Sequence, residues 1–205
     1  SSAVLADALI PVSLPNGIAA GDVNANSAVL WTRTIAPGVV TFEVSPSLFF
    51  APMSFSAQVM ADDPLVPVKV QAENLVPGRR YFYRVTDEAG SQLIGTFKTA
   101  LNGPSPGRSL RFGVSGDWRG ELAPFPAIKN APRRFLDFFV RLGDTIYADF
   151  PSPALPLPQA ETLEEFRIKH AENYGTREGL NAWGRLQATT AIFSTIDDHE
   201  VTNDF

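Results

Sequence analysis

Two patterns of hydrophobic and polar positions follow one another along the chain. Up to about Thr99, apolar residues recur at every second position in short runs broken by Gly, Pro and Asn, which predicts antiparallel strands with one buried and one wetted face. The runs cover residues 27–33, 39–45, 66–75, 81–86 and 94–99. In the third, Val66, Val68, Val70 and Ala72 point one way while Pro67, Lys69 and Gln71 point the other. Pro77-Gly78 fits the centre of a type II turn just before an aromatic strand. The expected unit is an all-β sandwich over residues 1–100.

Residues 101–109 carry two prolines and two glycines and break every regular structure, so a linker is expected there. Beyond it, over residues 110–205, the pattern changes to buried strands alternating with helical segments, as in an α/β unit. Strands are expected at residues 110–115, at the end of 135–142 and at 191–196. Thr162 and Glu165 form a capping box opening a helix that runs to about Asn173. Leu163, Phe166, His170 and Tyr174 recur on one face of it, which makes His170 a packing histidine. The proline-rich residues 151–158 can form neither helix nor central strand and read as a loop over the site.

Composition narrows the chemistry. The 22 acidic and 17 basic residues are spread along the chain and give no reason to expect nucleic acid as a partner. No apolar run approaches the roughly 20 residues of a membrane helix, and residues 1–15 lack the basic stretch of a signal peptide. A soluble protein is expected, with any leader already removed. With no cysteine, disulfides, thiolate nucleophiles and cysteine-rich zinc sites are excluded, so any metal must be held by oxygen and nitrogen.

Three acidic clusters each follow an apolar strand: Asp117 after Ser115-Gly116, Asp144 after Gly143, and Asp197-Asp198-His199-Glu200 after residues 191–196. Parallel neighbouring strands would bring all three to one edge of a sheet. Carboxylates gathered there repel one another unless cations compensate, and this donor set suits hard or borderline ions. Any single Gly-Asp pair serves equally well as a turn with an Asx bond, and Tyr147 as a core aromatic.

In order and spacing these clusters resemble the opening motifs of the calcineurin-like metallophosphoesterases. Gly143-Asp-Thr-Ile-Tyr147 and Asp197-Asp-His-Glu-Val-Thr-Asn203 narrow the resemblance to the alkaline phosphatase D (PhoD-like) group. Its members also carry an N-terminal sandwich with a run similar to Gly21-Asp-Val-Asn-Ala-Asn-Ser-Ala-Val-Leu-Trp-Thr-Arg33. The resemblance spans residues 16–205. It implies an immunoglobulin- or fibronectin-like sandwich, in which Tyr83 resembles the corner tyrosine, followed by the first half of an α/β metallophosphoesterase domain.

Carried over by residue, the resemblance implies that Asp117 binds a first metal, Asp144 bridges two and Tyr147 gives a phenolate to the first. Asp198, with Asn203 as a weaker candidate, would bind the second. His199 would act beside the phosphate as acid or charge stabiliser, and Arg119 would meet the phosphate or else be a surface residue. Asp197 is expected to support a ligand and Asp149 to be a solvated carboxylate. The implied cofactors are two or more metal ions, iron(III) with calcium, with zinc, manganese and magnesium as alternatives. Gly116 stands where many members have a cysteine, which leaves the metal identity open. A secreted or periplasmic location, after removal of a signal peptide, is likewise implied by the family.

In this superfamily further ligands come from the second half of the domain, so the remaining C-terminal part, in the same or a cleaved chain, is an expected partner. Residues 1–205 alone are expected to be inactive and poorly folded beyond Leu101, whereas the sandwich should close its own core. The expected function is hydrolysis of a phosphate mono- or diester by a binuclear site with a metal-activated hydroxide. A phospholipid or a wall-polymer diester are alternative substrates. The alternative from another class is a non-catalytic binding or structural protein with a metal-braced α/β domain.

Overall fold

Alternation does build residues 18–98 in the computed structural model, which describes residues 10–107 and 109–205. The expectations for residues 1–9 and Arg108 lie outside the described residues. One sheet has the order β4 (Phe55–Ala61), β3 (Gly38–Ser45), β6 (Arg80–Thr86), β7 (Gln92–Lys98), antiparallel throughout. Facing it are β1 (Ile18–Gly21), β2 (Ala28–Thr32) and β5 (Val68–Ala72). Alternate residues Val40, Phe42 and Val44 of β3, Tyr81, Tyr83 and Val85 of β6, Ile18 of β1 and Leu30 of β2 fill the space between. Each large side chain so buried contributes about 1.5–3 kcal/mol. The corner tyrosine is Tyr81 and not Tyr83: the Val76 N–H donates to the Tyr81 hydroxyl at 2.9 Å, back across the turn.

The second sheet of the sandwich does not end at β1. β1 pairs in parallel with β10 (Ala191–Ser194) at Gly21 and Ile192, and β10, β9 (Phe138–Arg141) and β8 (Phe112–Ser115) continue the ladder in parallel. The result is one six-stranded sheet, β5-β2-β1-β10-β9-β8. Helix α2 (Ala182–Thr189) packs on β1 and β7. A Cβ on Gly95 would lie 2.2 Å from the Ala188 carbonyl oxygen, so only glycine permits this approach. The Tyr83 hydroxyl donates to the Gln187 carbonyl and Ala191 lies in the sandwich core. The expectation that the sandwich closes its own core is therefore corrected, because part of its lid comes from beyond residue 180.

Parallel β8, β9 and β10 bring their carboxyl ends, and the acidic cluster after each, to one edge. Above that edge runs α1 (Leu163–Asn173), capped as expected by Thr162 and Glu165. Its packed face is not the expected apolar one. Leu163 and His170 are exposed, while Lys169 and Asn173 are buried. The reason is that α1 covers loops, whose carbonyls need donors. Lys169 Nζ donates to the Phe150 carbonyl, and Asn173 Nδ2 donates to the carbonyls of Trp118, at 3.0 Å, and Thr145. Burial lowers the Lys169 ammonium from its ordinary value. Residues 151–158 form no helix or strand, and Leu155 packs with Ile146 and Ala148.

Candidate metal centre

Three of the proposed ligands sit in left-handed backbone: Asp117 at φ 62°, Asp144 at 52° and Tyr147 at 47°. Aspartate tolerates that region, but a bulky aromatic rarely enters it, and such residues persist only where their surroundings hold them. The Trp118 N–H donates to the Asp144 carbonyl at 2.7 Å, tying the first acidic turn to the second. The Glu200 carboxylate accepts from the N–H groups of Asp144 at 3.0 Å, Thr145, and Asp197 at 2.6 Å, tying the second to the third. Gly143, at φ 96°, is required at this crossing because a Cβ there would lie 2.5 Å from the Asp197 nitrogen. The Glu200 clasp escapes sequence reasoning, since an acid at the end of an acidic run carries no mark of the backbone it will hold.

The side chains converge on that frame. The Tyr147 hydroxyl lies 3.2 Å from Asp117 Oδ1 and 3.1 Å from Asp144 Oδ2. One donor atom each from Asp144, Asp198 and His199 falls within 4.8 Å of the others. Burial, then the neighbouring Asp144 and Asp117 charges, pushes the Tyr147 phenol far above its ordinary value. Burial also raises the Asp144 carboxyl, outweighing hydrogen bonds from Tyr147 and the His199 N–H. Asp198 moves the other way, held down first by the Asp204 N–H. Two carboxylates and a phenol sharing one point, two of them displaced toward the protonated form, fit a hard cation. The donors are all oxygen apart from one imidazole.

His199 departs from the simple picture. Its Nδ1 lies 2.8 and 2.9 Å from the carboxylate oxygens of Asp149, which also accepts from the Asn203 N–H. Asp149 is thus no solvated carboxylate, and that expectation is corrected: the turn through Tyr147 folds it back beneath the imidazole. Burial alone would lower His199, but the hydrogen bond and charge of Asp149, with Asp144 and Asp198, leave it raised. The ring stacks on Tyr147 at 4.3 Å between centroids.

The remaining candidates fall as follows. Arg119 is half-buried, paired with Glu121, and its guanidinium lies 4.2 Å from the Phe150 ring centre and 5.4 Å from that of Tyr147. The Asn203 amide is turned to Asp204 at 2.9 Å. Asp197 accepts from the Asp198 N–H and caps the turn Asp198–Glu200. His170 is exposed in a separate cavity on the helix flank, which corrects its reading as a packing residue. A Cβ at Gly116 would meet only ordinary contacts, from 3.4 Å upward, so nothing in the packing demands glycine there.

The fold and site together define a β-sandwich fused to an α/β unit whose acidic strand ends bring together a candidate cation-binding cluster. Residues 2–101 match the N-terminal domain of PhoD-like phosphatases and residues 114–205 match the PhoD-like phosphatase domain itself. The chain belongs to the PhoD-like phosphatase family. It is 30% identical to alkaline phosphatase D of Bacillus subtilis (strain 168), over 92% of this chain and 35% of that protein. A solved structure of PhoD superposes with a TM-score of 0.74 at 28% identity, covering 97% of this chain and 42% of the other. The chain thus spans well under half the length of these relatives.

Proposed function

We propose that this chain supplies the first half of a binuclear metallophosphoesterase site that hydrolyses phosphate esters. The observation that carries the reading is the meeting of Tyr147 with Asp117 and Asp144, beside the His199–Asp149 pair. Asp117 and Tyr147 would hold a first cation, Asp144 would lie between two, and Asp198, with Asn203, would hold a second. Iron(III) with calcium suits a phenol and carboxylates, and zinc, manganese or magnesium would also accept these donors. Bound there, the cations would neutralise phosphoryl charge and lower the pKa of a bound water.

The protein groups have their own work. Tyr147 must lose a proton that two neighbouring carboxylates now hold in place, so binding at this point is coupled to proton release. Asp149 fixes Nδ1 of His199, which leaves Nε2 as the nitrogen that exchanges a proton with the leaving group. Arg119, over the Phe150 ring and paired with Glu121, would stand at the rim as the guanidinium that meets the phosphate. The exposed apolar residues Phe112, Val114 and Ile196 form a surface that further chain of the phosphatase domain would cover.

The test uses the full-length protein with aromatic mono- and diester substrates and elemental analysis. His199→Ala should lower turnover roughly 10²- to 10⁴-fold while metal content stays near that of the parent. Loss of metal in that variant would make His199 a third ligand with Asp144 and Asp198, which their proximity also permits. A fully metallated protein that hydrolyses neither ester class would favour a metal brace over an enzyme.

A further inference from the structure

Away from the metal centre, a cavity of about 580 Å³ lies between α1 and the outer face of the six-stranded sheet. Its floor follows from strand alternation. β2 sends Ala28, Leu30 and Thr32 into the sandwich, so Val29 and Trp31 face outward, and Arg33 follows on the same side. Lys69 reaches it from β5, Arg141 from β9, and Arg167 and His170 from α1.

The charge of this lining is one-sided. Four cations, Arg33, Lys69, Arg141 and Arg167, face a single carboxylate, Asp22, in a chain whose net charge is −5. Among the described residues, Arg33 and Arg141 have only neutral hydrogen-bond partners. Arg33 donates to Asn16 Oδ1 and, at 2.5 Å, to the Pro64 carbonyl. Arg141 donates to Ser194 Oγ at 3.0 and 2.8 Å and to the Tyr174 hydroxyl, with its guanidinium 5.2 Å from the Trp183 ring centre. Arg167 reaches Asp63 only at 3.7 Å. Guanidinium groups fixed by neutral acceptors keep their charge and remaining N–H donors for a ligand. Burial lowers Arg33 from its ordinary value, so an anion entering here would meet a partly desolvated cation.

We propose that this cavity is a second site that binds a phosphoryl oxyanion, with Arg33 and Lys69, from the neighbouring strands β2 and β5, as its anchors and Trp31 against the organic part of the ligand. The choice of a phosphoryl group among oxyanions rests on the phosphatase reading; the cationic cavity does not. Occupancy would be felt at the metal centre. Arg141, at the far end of the cavity, ends the strand that leads into Asp144; α1 carries Asn173, which holds the Trp118 and Thr145 carbonyls, and is followed by its cap Tyr174, which braces Arg141. The phosphoryl group has two sources: inorganic phosphate released as product, or a second phosphoryl group on the substrate.

The test is calorimetric titration of inorganic phosphate into chelator-stripped full-length protein, with tryptophan fluorescence as a second readout. Binding should persist without metal, weaken as salt rises, and fall about tenfold or more in Arg33→Gln and in Lys69→Gln. Lys69 is exposed, so its variant should fold normally even if the other does not. Asp144→Asn should leave this binding intact. No binding to stripped protein, or binding lost in Asp144→Asn but unchanged in both cavity variants, would overturn the proposal. In the metal-loaded protein, a KM raised by Arg33→Gln only for bisphosphorylated substrates identifies the substrate as source, and relief of non-competitive phosphate inhibition identifies the product. Kinetics unchanged in both respects would overturn the site's coupling to the metal centre. Phosphate binding to a stripped protein whose loaded form hydrolyses no ester would remove the phosphatase reading and leave the oxyanion site standing.

Discussion

His199 Nδ1 sits between the two carboxylate oxygens of Asp149, at 2.8 and 2.9 Å, while the same imidazole stacks on Tyr147. One short loop therefore carries both a ligand candidate and the group that orients the proposed acid. Such a pairing fixes the ring, selects its tautomer and favours its charged form.

Asp149→Asn should therefore lower the His199 pKa and shift the alkaline limb of the pH–rate profile to lower pH, with metal content near normal. The sign for stability follows from the raised value. The pair's contribution is fully present below about 6.5, the ordinary histidine value, and is lost as pH rises through the folded value. Urea unfolding of the metal-free protein should show the advantage of the parent over Asp149→Asn shrinking between about pH 6 and pH 9. An advantage that grows with pH would refute the ion pair.

Gly143→Ala places a methyl group 2.5 Å from the Asp197 nitrogen on a backbone at φ 96°. The φ strain alone costs of order 1–3 kcal/mol, and the contact forces the second and third acidic turns apart. Calorimetry should show a lower Tm, and metal titration a weaker site. Gly116→Ala, with room for a Cβ, is the matched control and should change neither much.

Tyr147 is driven above its ordinary pKa by burial and by the carboxylates beside it. The metal-free protein should accordingly show no tyrosinate absorbance from this residue at neutral pH. Addition of iron(III) should release a proton and produce a visible charge-transfer band that Tyr147→Phe removes. A band that survives the substitution would place the iron elsewhere.

Asp144 is the carboxylate that both Tyr147 and the His199 N–H contact, so its loss should disturb both cation positions. Elemental analysis of Asp144→Asn in the full-length protein should show both equivalents lost. Retention of two metals per chain would refute its bridging role.

Local patterns were enough for much of this. Alternation placed β2, β3, β6 and β7 within a residue or two, because a strand's buried face repeats every second residue wherever its partner lies. The Thr162–Glu165 cap and the three acidic strand ends were legible for the same reason, being short-range chemistry. β1, β4 and α2 went unnamed, and Tyr81 rather than Tyr83 proved to be the corner residue, because both tyrosines share the buried face and only the path of the turn separates them.

What covers each face was decided in three dimensions. A period reports that a face is buried and not by what, so the joining of β1 to β10 through Gly21 and Ile192 left no mark in the sequence. Polar burial misleads the same reading. Lys169 and Asn173 look like the wet side of α1 until the loop carbonyls they satisfy are brought beneath them. Asp149 and Glu200 look like two more surface acids until the left-handed turns at Asp144 and Tyr147 fold one under His199 and the other across the backbone of Asp144. Sequence thus determined the strands, the caps and the supply of candidate ligands. Tertiary structure alone decided which acids converge on one point and which hold the backbone or the imidazole, since that depends on the direction of a few turns.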